Sequence, residues 1–204
     1  MNTPTLRRFL SSLLLAAAVA SADTIPSDAP RWSVGTSAWS AFNALPEPPD
    51  FWYLEVHRRL TDRGHLVFDA LTWNYPAPIG IPFGPSWGDE SEQYANDGLV
   101  RSIGAGLGWR QDFLERWNAS VRAYQFFQIY SEDGSPDRHG YQLLFLARAG
   151  WRWGQDRAGL WIEPSITANW WPIEVGRPAS FKAADDRWPS YMLFEPWLNF
   201  GWSW

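Results

Sequence analysis

The sequence contains no cysteine, and only two methionines and three histidines occur among its 204 residues. Without cysteine the chain has no disulfide framework, no thiol nucleophile and no thiolate metal site. Positive charge is also scarce, because the formal net charge is -5, whereas binding to nucleic acid requires a basic surface. We therefore expect no nucleic-acid partner, and a fold that is held together without covalent cross-links.

Long apolar runs are missing beyond the N-terminus. Two arginines precede the apolar run 9–19, and the small residues Ala-Ser-Ala follow at 20–22. The run is too short for a transmembrane helix and ends in the pattern that a signal peptidase cleaves. The sequence therefore predicts a cleaved signal peptide at residues 1–22, followed by a short periplasmic segment at residues 23–31.

Aromatic residues, in contrast, are abundant: the chain has 16 tryptophans, although its mean hydropathy is only -0.33. From residue 32 onwards apolar and polar side chains alternate, which is typical of transmembrane β-strands with one face toward lipid. The last segment shows this most clearly. We call each of the two sets of alternate residues in a strand a parity, and one parity here is apolar throughout: Met192, Phe194, Pro196, Leu198, Phe200, Trp202 and Trp204.

Eight segments alternate in this way, and the connections between them are alternately short and long. Outer-membrane barrels have short periplasmic turns and longer outer loops. We therefore predict an all-β fold, a transmembrane antiparallel up-and-down β-barrel of eight strands over residues 32–204. A soluble sandwich or lipocalin-like barrel also alternates, but the second parity is too apolar for a solvent face. The predicted strands are 32–42, 51–60, 66–75, 98–110, 117–130, 141–153, 160–170 and 191–204.

The segment that ends in Trp204 resembles the terminal aromatic signature that the barrel-assembly machinery recognises in outer-membrane barrels. Trp202, Phe200 and Leu198 stand at alternate positions before it, although the last residue of that signature is usually phenylalanine. The chain as a whole resembles the small eight-stranded barrels of the OmpA and OmpX size class. This resemblance implies a monomer in the outer membrane of a Gram-negative-type cell, with both termini periplasmic and with membrane lipid and the assembly machinery as partners.

Charged residues lie on the inward parity of the lower half. A barrel of eight strands is just wide enough to be filled by side chains, and buried opposite charges must pair. The sequence therefore predicts an ion-pair network at one height that plugs the lumen, with His57 as a further member. A catalytic carboxylate pair is the alternative, although we find no route for a substrate. The predicted network consists of Glu55, Asp69, Arg122, Arg148 and Glu163.

The upper half of the predicted lumen is apolar. An acyl chain could occupy it, and simple aromatic packing of a narrow barrel is the alternative interpretation. The candidate lipid pocket is formed by Tyr53, Trp73, Tyr124, Phe126 and Trp197, and Leu71, Tyr75, Leu144, Leu146, Tyr191 and Leu193 are predicted to face the same space.

Pro164 and Pro196 fall in the middle of adjacent predicted strands. Proline cannot donate to a β-ladder and is normally confined to edges or bulges, so we expect a local break in pairing, a candidate lateral gate. This feature resembles the outer-membrane palmitoyltransferases of the PagP type, in which strand prolines leave openings for lipid. Their catalytic residues lie on outer loops, which makes Ser131, Asp137 and His139 the loop candidates here. No signature spacing supports these three, and residues 23–31 leave no room for the N-terminal helix of that family.

The long outer loops are the remaining functional surface, since loops on a rigid scaffold often carry binding sites. The acidic run at 89–92 fits no metal-ligand template, and we expect neither a metal nor a cofactor. The sequence favours a structural or surface-binding barrel that acts through these loops. The alternatives are a lipid-ligand or narrow transport barrel, and an enzyme that modifies lipid A or phospholipid with lateral access near Pro164 and Pro196.

Overall fold

The computed structural model describes residues 29–44, 50–76, 98–132, 134–154, 157–186 and 189–204. The predicted signal peptide, most of the predicted periplasmic segment and the acidic loop lie outside these residues.

Eight antiparallel strands form one sheet that closes on itself, with each strand paired to the next and β8 paired to β1. This confirms the predicted all-β, eight-stranded antiparallel barrel. The strands are β1 Trp32–Ser37, β2 Trp52–Arg59, β3 Gly64–Pro76, β4 Gly98–Phe113, β5 Trp117–Glu132, β6 Arg138–Trp151, β7 Gly159–Val175 and β8 Tyr191–Ser203.

The two ends of the barrel differ. Arg31 donates its N–H to the carbonyl of Trp204 over 2.9 Å, so both described chain ends lie at the end that carries the short turns. We call this the terminal end and the opposite one, with the longer connections, the loop end. Among the described residues, two short helices occur at the loop end: a 3₁₀-helix Ala38–Ala44 after β1, and α1 Ala179–Asp185 between β7 and β8.

The side chains alternate between the lumen and the outer surface, as β5 shows along its length. The outer surface is dominated by large apolar groups, for example Leu107, Phe127, Ile166 and Phe200, each at least 42% exposed. Among the described residues, no helix combines the length and the hydropathy needed to cross a membrane.

The first strand is shorter than predicted, because β1 ends at Ser37 instead of continuing to residue 42. Trp39 and Phe42 are three residues apart, a spacing that suits a 3₁₀ turn and not a strand, and their rings pack edge to face with centroids 4.9 Å apart. Asn43 fixes the end of the helix through two hydrogen bonds to the backbone of Phe51, of 2.7 and 2.8 Å. The pairing of β1 with β8 therefore stops at Ser37 opposite Asn199.

A β-bulge at Phe194 changes which residues of β8 face the lumen. Glu195 pairs with Thr167, but the next pair joins Leu193 to Ala168, which leaves Phe194 without a partner and with a φ of 63°. One extra residue reverses the parity of everything beyond it. The prediction that Tyr191 and Leu193 face inward is therefore wrong: they are 50% and 54% exposed.

The loop end is partly covered by helix α1. Strand β7 extends to Val175, farther than predicted, with an extra residue opposite β6 between Trp170 and Ile173. The chain then returns through α1, whose Phe181 is fully buried in a cluster with Tyr75, Val100 and Tyr130. The covering helix is therefore anchored to strands on the far side of the barrel.

Candidate functional site

The middle of the lumen holds a cluster of buried ion pairs, which we call the central cluster: Glu55, Asp69, Arg122 and Arg148. Arg122 Nη1 lies 2.9 Å from Asp69 Oδ2 and 3.2 Å from Glu55 Oε2. Arg148 Nη1 lies 3.3 Å from the same Glu55 oxygen. All four residues are at most 3% exposed, so the arginines and not solvent neutralise the two carboxylates.

Neutral groups complete the bonding of these carboxylates. Tyr124 donates its hydroxyl to Asp69 Oδ2 over 2.6 Å, and Asn199 donates to Glu55 Oε1 over 3.1 Å. His57 Nε2 lies 3.1 Å from Glu55 Oε2, which agrees with the prediction that His57 joins the network. Because the acceptor oxygens are already engaged, this arrangement holds the barrel together and leaves no carboxylate oxygen open to a substrate.

Glu163 lies in a separate group nearer the terminal end, the terminal cluster of His65, Arg110, Asp112, Arg152 and Glu163. Its Oε2 accepts from Arg152 Nε over 2.6 Å and lies 3.3 Å from Arg110 Nη1. Counting residues from the strand ends had placed Glu163 level with Arg148, but strands in a barrel are tilted and staggered, so equal counts do not mean equal heights.

His65 and Asp112 were missed in the sequence because they fall outside the predicted strands, and Arg110 was missed because it is the last residue of one. Strand β4 continues to Phe113 and β3 begins at Gly64, so all three side chains point into the lumen. Asp112 accepts from Arg110 Nε over 2.8 Å, and its second oxygen lies 3.0 Å from His65 Nε2. Continued alternation past residue 110 was the signal that could have identified them.

Trp161 fills the lumen beside the terminal cluster. Its ring lies against Gly35 and Gly201, where any added Cβ would overlap it. On its other side the guanidinium carbon of Arg152 is 3.8 Å from the ring centroid. The two glycines thus allow a fully buried indole to close the space between the strands.

Above the central cluster the lumen opens into an apolar cavity of about 330 Å³ at the loop end. All five residues of the predicted lipid pocket line it: Tyr53, Trp73, Tyr124, Phe126 and Trp197. The sequence had not identified Trp39, Phe42 and Trp171 as lining residues, nor Met192, which replaces Tyr191 and Leu193 because of the bulge.

A few polar groups interrupt the apolar wall of this cavity. Glu195 accepts hydrogen bonds from Thr167 Oγ1 and Asn169 Nδ2, at 3.0 and 2.8 Å. Gln142 Nε2 and Trp197 Nε1 are buried without a hydrogen-bond partner among the described residues. An apolar space with a small number of polar groups is the usual composition of a ligand pocket.

Pro196 lies where a ladder partner is already missing, whereas Pro164 lies opposite a residue of β6. Pairing of β7 with β8 runs without interruption through Pro164 opposite Leu198 and Pro196 opposite Ile166. The carbonyl of Pro196 accepts from Trp39 Nε1 over 3.2 Å. The N–H and C=O of a strand residue point to the same neighbour, so Pro196 lacks its donor on the side where β1 has ended.

Pro164 lacks its donor on the other side of β7, where the register places Trp151 of β6 opposite it. Ile162 exchanges backbone hydrogen bonds with Trp153, so Pro164, two residues on, also points toward β6. There the regular pairing stops at Ser165 opposite Gly150, and only the isolated bridge to Trp153 follows. The irregularities therefore lie on the outer sides of the β7–β8 pair and not between these two strands.

The loop candidates do not form a catalytic array in the described part of the chain. Ser131 donates its hydroxyl proton to Asp137 over 2.7 Å, and neither residue is hydrogen-bonded to His139. His139 is also not in a loop, because β6 begins at Arg138 and pairs His139 with Ile129. The described residues contain no group of three or more histidine, aspartate or glutamate side chains that could hold a metal ion.

No family model, curated protein or solved structure matches this chain. Its function therefore has to be inferred from the surfaces and cavities of the barrel itself.

Proposed function

We propose that this protein is an outer-membrane β-barrel that binds an apolar chain, such as the acyl chain of a lipid, in its loop-end cavity. The observation that carries the proposal is the cavity of about 330 Å³ whose wall is almost entirely aromatic and aliphatic. Its volume falls within the range of ligand pockets, and each methylene moved into it from water contributes about 0.8 kcal/mol.

The outer surface supports insertion into a membrane. Apolar side chains that would be unfavourable in water cover the outward parity of the strands, as expected of a surface that faces lipid. At the terminal end the exposed aromatic residues form a band at the position of an interfacial girdle. This band consists of Trp32, Trp117, Trp151, Trp153, Trp202 and Trp204, all between 37% and 55% exposed.

The floor of the cavity favours binding over transport. Tyr53 and Tyr124 line the cavity and also bond to the central cluster, so the apolar wall continues directly into buried ion pairs. Trp161 and the terminal cluster fill the lumen below. A ligand that enters from the loop end would therefore be retained above Arg122 and Arg148.

The other predicted functions have less support. The Ser131 hydroxyl is bonded to a carboxylate and not to a histidine, which leaves the enzyme alternative without an activated nucleophile among its candidates. Surface binding through the loop at 77–97 stays a prediction, because that loop lies outside the described residues.

Cross-linking with a photoreactive fatty acid tests the proposal. The folded barrel in nanodiscs is illuminated with the probe, and the labelled peptides are identified by mass spectrometry. Labels should map to residues 71–75, 124–126 and 142–146. Leu144→Trp, which fills the cavity, should reduce labelling at least tenfold, whereas Leu143→Trp on the outer face of the same strand should leave it within twofold. Labelling confined to outward residues, or unchanged by Leu144→Trp, would show a barrel that only contacts lipid from outside.

A further inference from the structure

The buried charges of the lumen do not balance. Among the residues that the structure describes, five arginines are at most 9% exposed, but only four carboxylate residues are buried to the same degree. The arginines are Arg59, Arg110, Arg122, Arg148 and Arg152, and the carboxylates are Glu55, Asp69, Asp112 and Glu163.

Arg59 is the arginine left over. It is the last residue of β2, at the terminal end, and none of the four buried carboxylates forms an ion pair with it. Its Nε is buried without a hydrogen-bond partner among the described residues. A buried cation without a counter-charge is strongly unfavourable, so something with negative charge is expected beside it.

A small cavity lies next to this guanidinium. It has a volume of about 10 Å³, enough for one water-sized group, and is lined by Arg59, Arg110, Arg152 and His57 together with the more exposed Arg31. One further donor atom of this lining, Arg152 Nη2, is buried without a partner among the described residues. Unpaired buried donors thus occur on two arginine side chains around one space.

We propose that this pocket binds an oxyanion, a phosphate or carboxylate group that places one oxygen in the cavity. The guanidinium of Arg59 supplies the planar donor geometry that such groups fit, and the ligand supplies the missing negative charge. The site is at the opposite end of the barrel from the acyl-chain cavity, and its presence does not depend on the function proposed for that cavity.

Arg58 provides a matched control for a test of this site. It is adjacent in sequence but belongs to the outward parity, where its guanidinium lies 5.3 Å from the ring centroid of Trp32. Arg58→Gln and Arg59→Gln therefore remove the same charge from the same strand end, and only the second variant replaces a residue that lines the pocket.

The experiment titrates inorganic phosphate, and separately acetate, into the folded barrel in non-ionic detergent at constant ionic strength. Calorimetry and the melting temperature report binding. At least one of the two anions should bind and raise the melting temperature of the wild type, and Arg59→Gln should weaken this binding at least tenfold, with Arg58→Gln within twofold. Without anion, Arg59→Gln should melt no lower than the wild type, because it removes an uncompensated charge.

The outcome of each arm decides the proposal. Preference for phosphate or for acetate would identify which oxyanion the site takes. Equal binding by wild type and Arg59→Gln, or no binding of either anion by the wild type, would overturn the proposal, since water or a carboxylate of the chain would then fill the pocket. If Arg59→Gln does not fold, Arg59→Lys keeps the charge but loses the planar fork, and unchanged affinity in that variant would overturn it equally.

Discussion

Strand β5 passes through two different interiors within a few residues. At Arg122 the lumen is filled by ion pairs at 2.9 to 3.3 Å, and at Phe126 the same side of the strand faces an apolar cavity of about 330 Å³. Both regions are enclosed by the same sheet, and their residues alternate in the same way. They differ in how completely the side chains fill the space and pair their polar groups.

The difference separates stability from binding. In the central cluster each carboxylate has an arginine and further hydrogen-bond donors, so removing one partner leaves a charge stranded in a low-dielectric space. In the cavity the apolar walls leave space between them and two donor groups unpaired. Substitutions in the central cluster should therefore change the free energy of unfolding, whereas those in the walls of the cavity should mainly change which ligand the barrel binds.

Arg122→Ala should have the largest effect. It leaves Asp69 without a cation and Glu55 with Arg148 alone, and breaking a buried pair in this way costs about 3–5 kcal/mol. Urea unfolding of the barrel in lipid vesicles, followed by tryptophan fluorescence, measures the loss. Arg101→Ala is the matched control, because that residue is on the outer face of β4 and should change stability by less than about 0.5 kcal/mol. Equal losses in the two variants would mean that the central cluster contributes nothing special to stability.

Phe181→Ala should come next, because it removes the residue that anchors helix α1 against Tyr75 and Tyr130. The Phe181 ring lies 5.0 Å from that of Tyr130 and is fully buried. Truncation of a buried phenylalanine costs about 3 kcal/mol or more. Hydrogen exchange of residues 179–185 should accelerate at the same time, while residues 141–150 stay protected. An effect on both segments would show that α1 is coupled to the whole barrel and not only to the loop end.

Pro196→Ala should change the free energy of unfolding by less than about 1 kcal/mol. The restored N–H would point to the side where β1 has ended, so no ladder bond is regained, and the chain only loses the restriction that proline places on its unfolded state. The same unfolding assay applies. A gain well above 1 kcal/mol would show that the proline weakens pairing more than its position indicates.

No conductance is expected from the wild-type protein or from Leu144→Trp. The lumen below the cavity is filled by the central cluster, Trp161 and the terminal cluster, so filling the upper cavity changes a region that does not control ion flow. Planar-bilayer recordings measure this directly. Steady channels of porin size in the wild type would mean that the ion pairs line a water-filled path, and the contrast between the two interiors would then disappear.

The alternation of side chains carried most of the information that the sequence offered. It predicted the eight strands, and it predicted five of the aromatic residues that line the cavity. Alternation contains no signal for a single inserted residue, which is why Tyr191 and Leu193 were assigned to the wrong face. The turn chemistry near residue 38 was equally hard to read, because Ala and Ser suit both a strand and a 3₁₀-helix.

The predicted positions of charged residues along the barrel axis were also wrong in part. Glu163 was grouped with Arg148 by counting along each strand, whereas the register places it with Arg152 and Arg110. Register depends on tilt and stagger, which are properties of the closed sheet and not of any single segment. The missed charges at 65, 110 and 112 have a simpler cause, since a polar residue near the end of a strand looks the same as a residue in a turn.

The short first strand has a consequence for how the barrel closes. Only five residue pairs join β1 to β8, against sixteen between β4 and β5. β1 and β8 also lie far apart in the sequence, so pairing them has a high entropic cost of loop closure. Contacts between residues far apart in sequence slow folding. The hairpins of the long central strands should therefore form first and the short β1–β8 seam last, and this seam should be the first strand pair to open again.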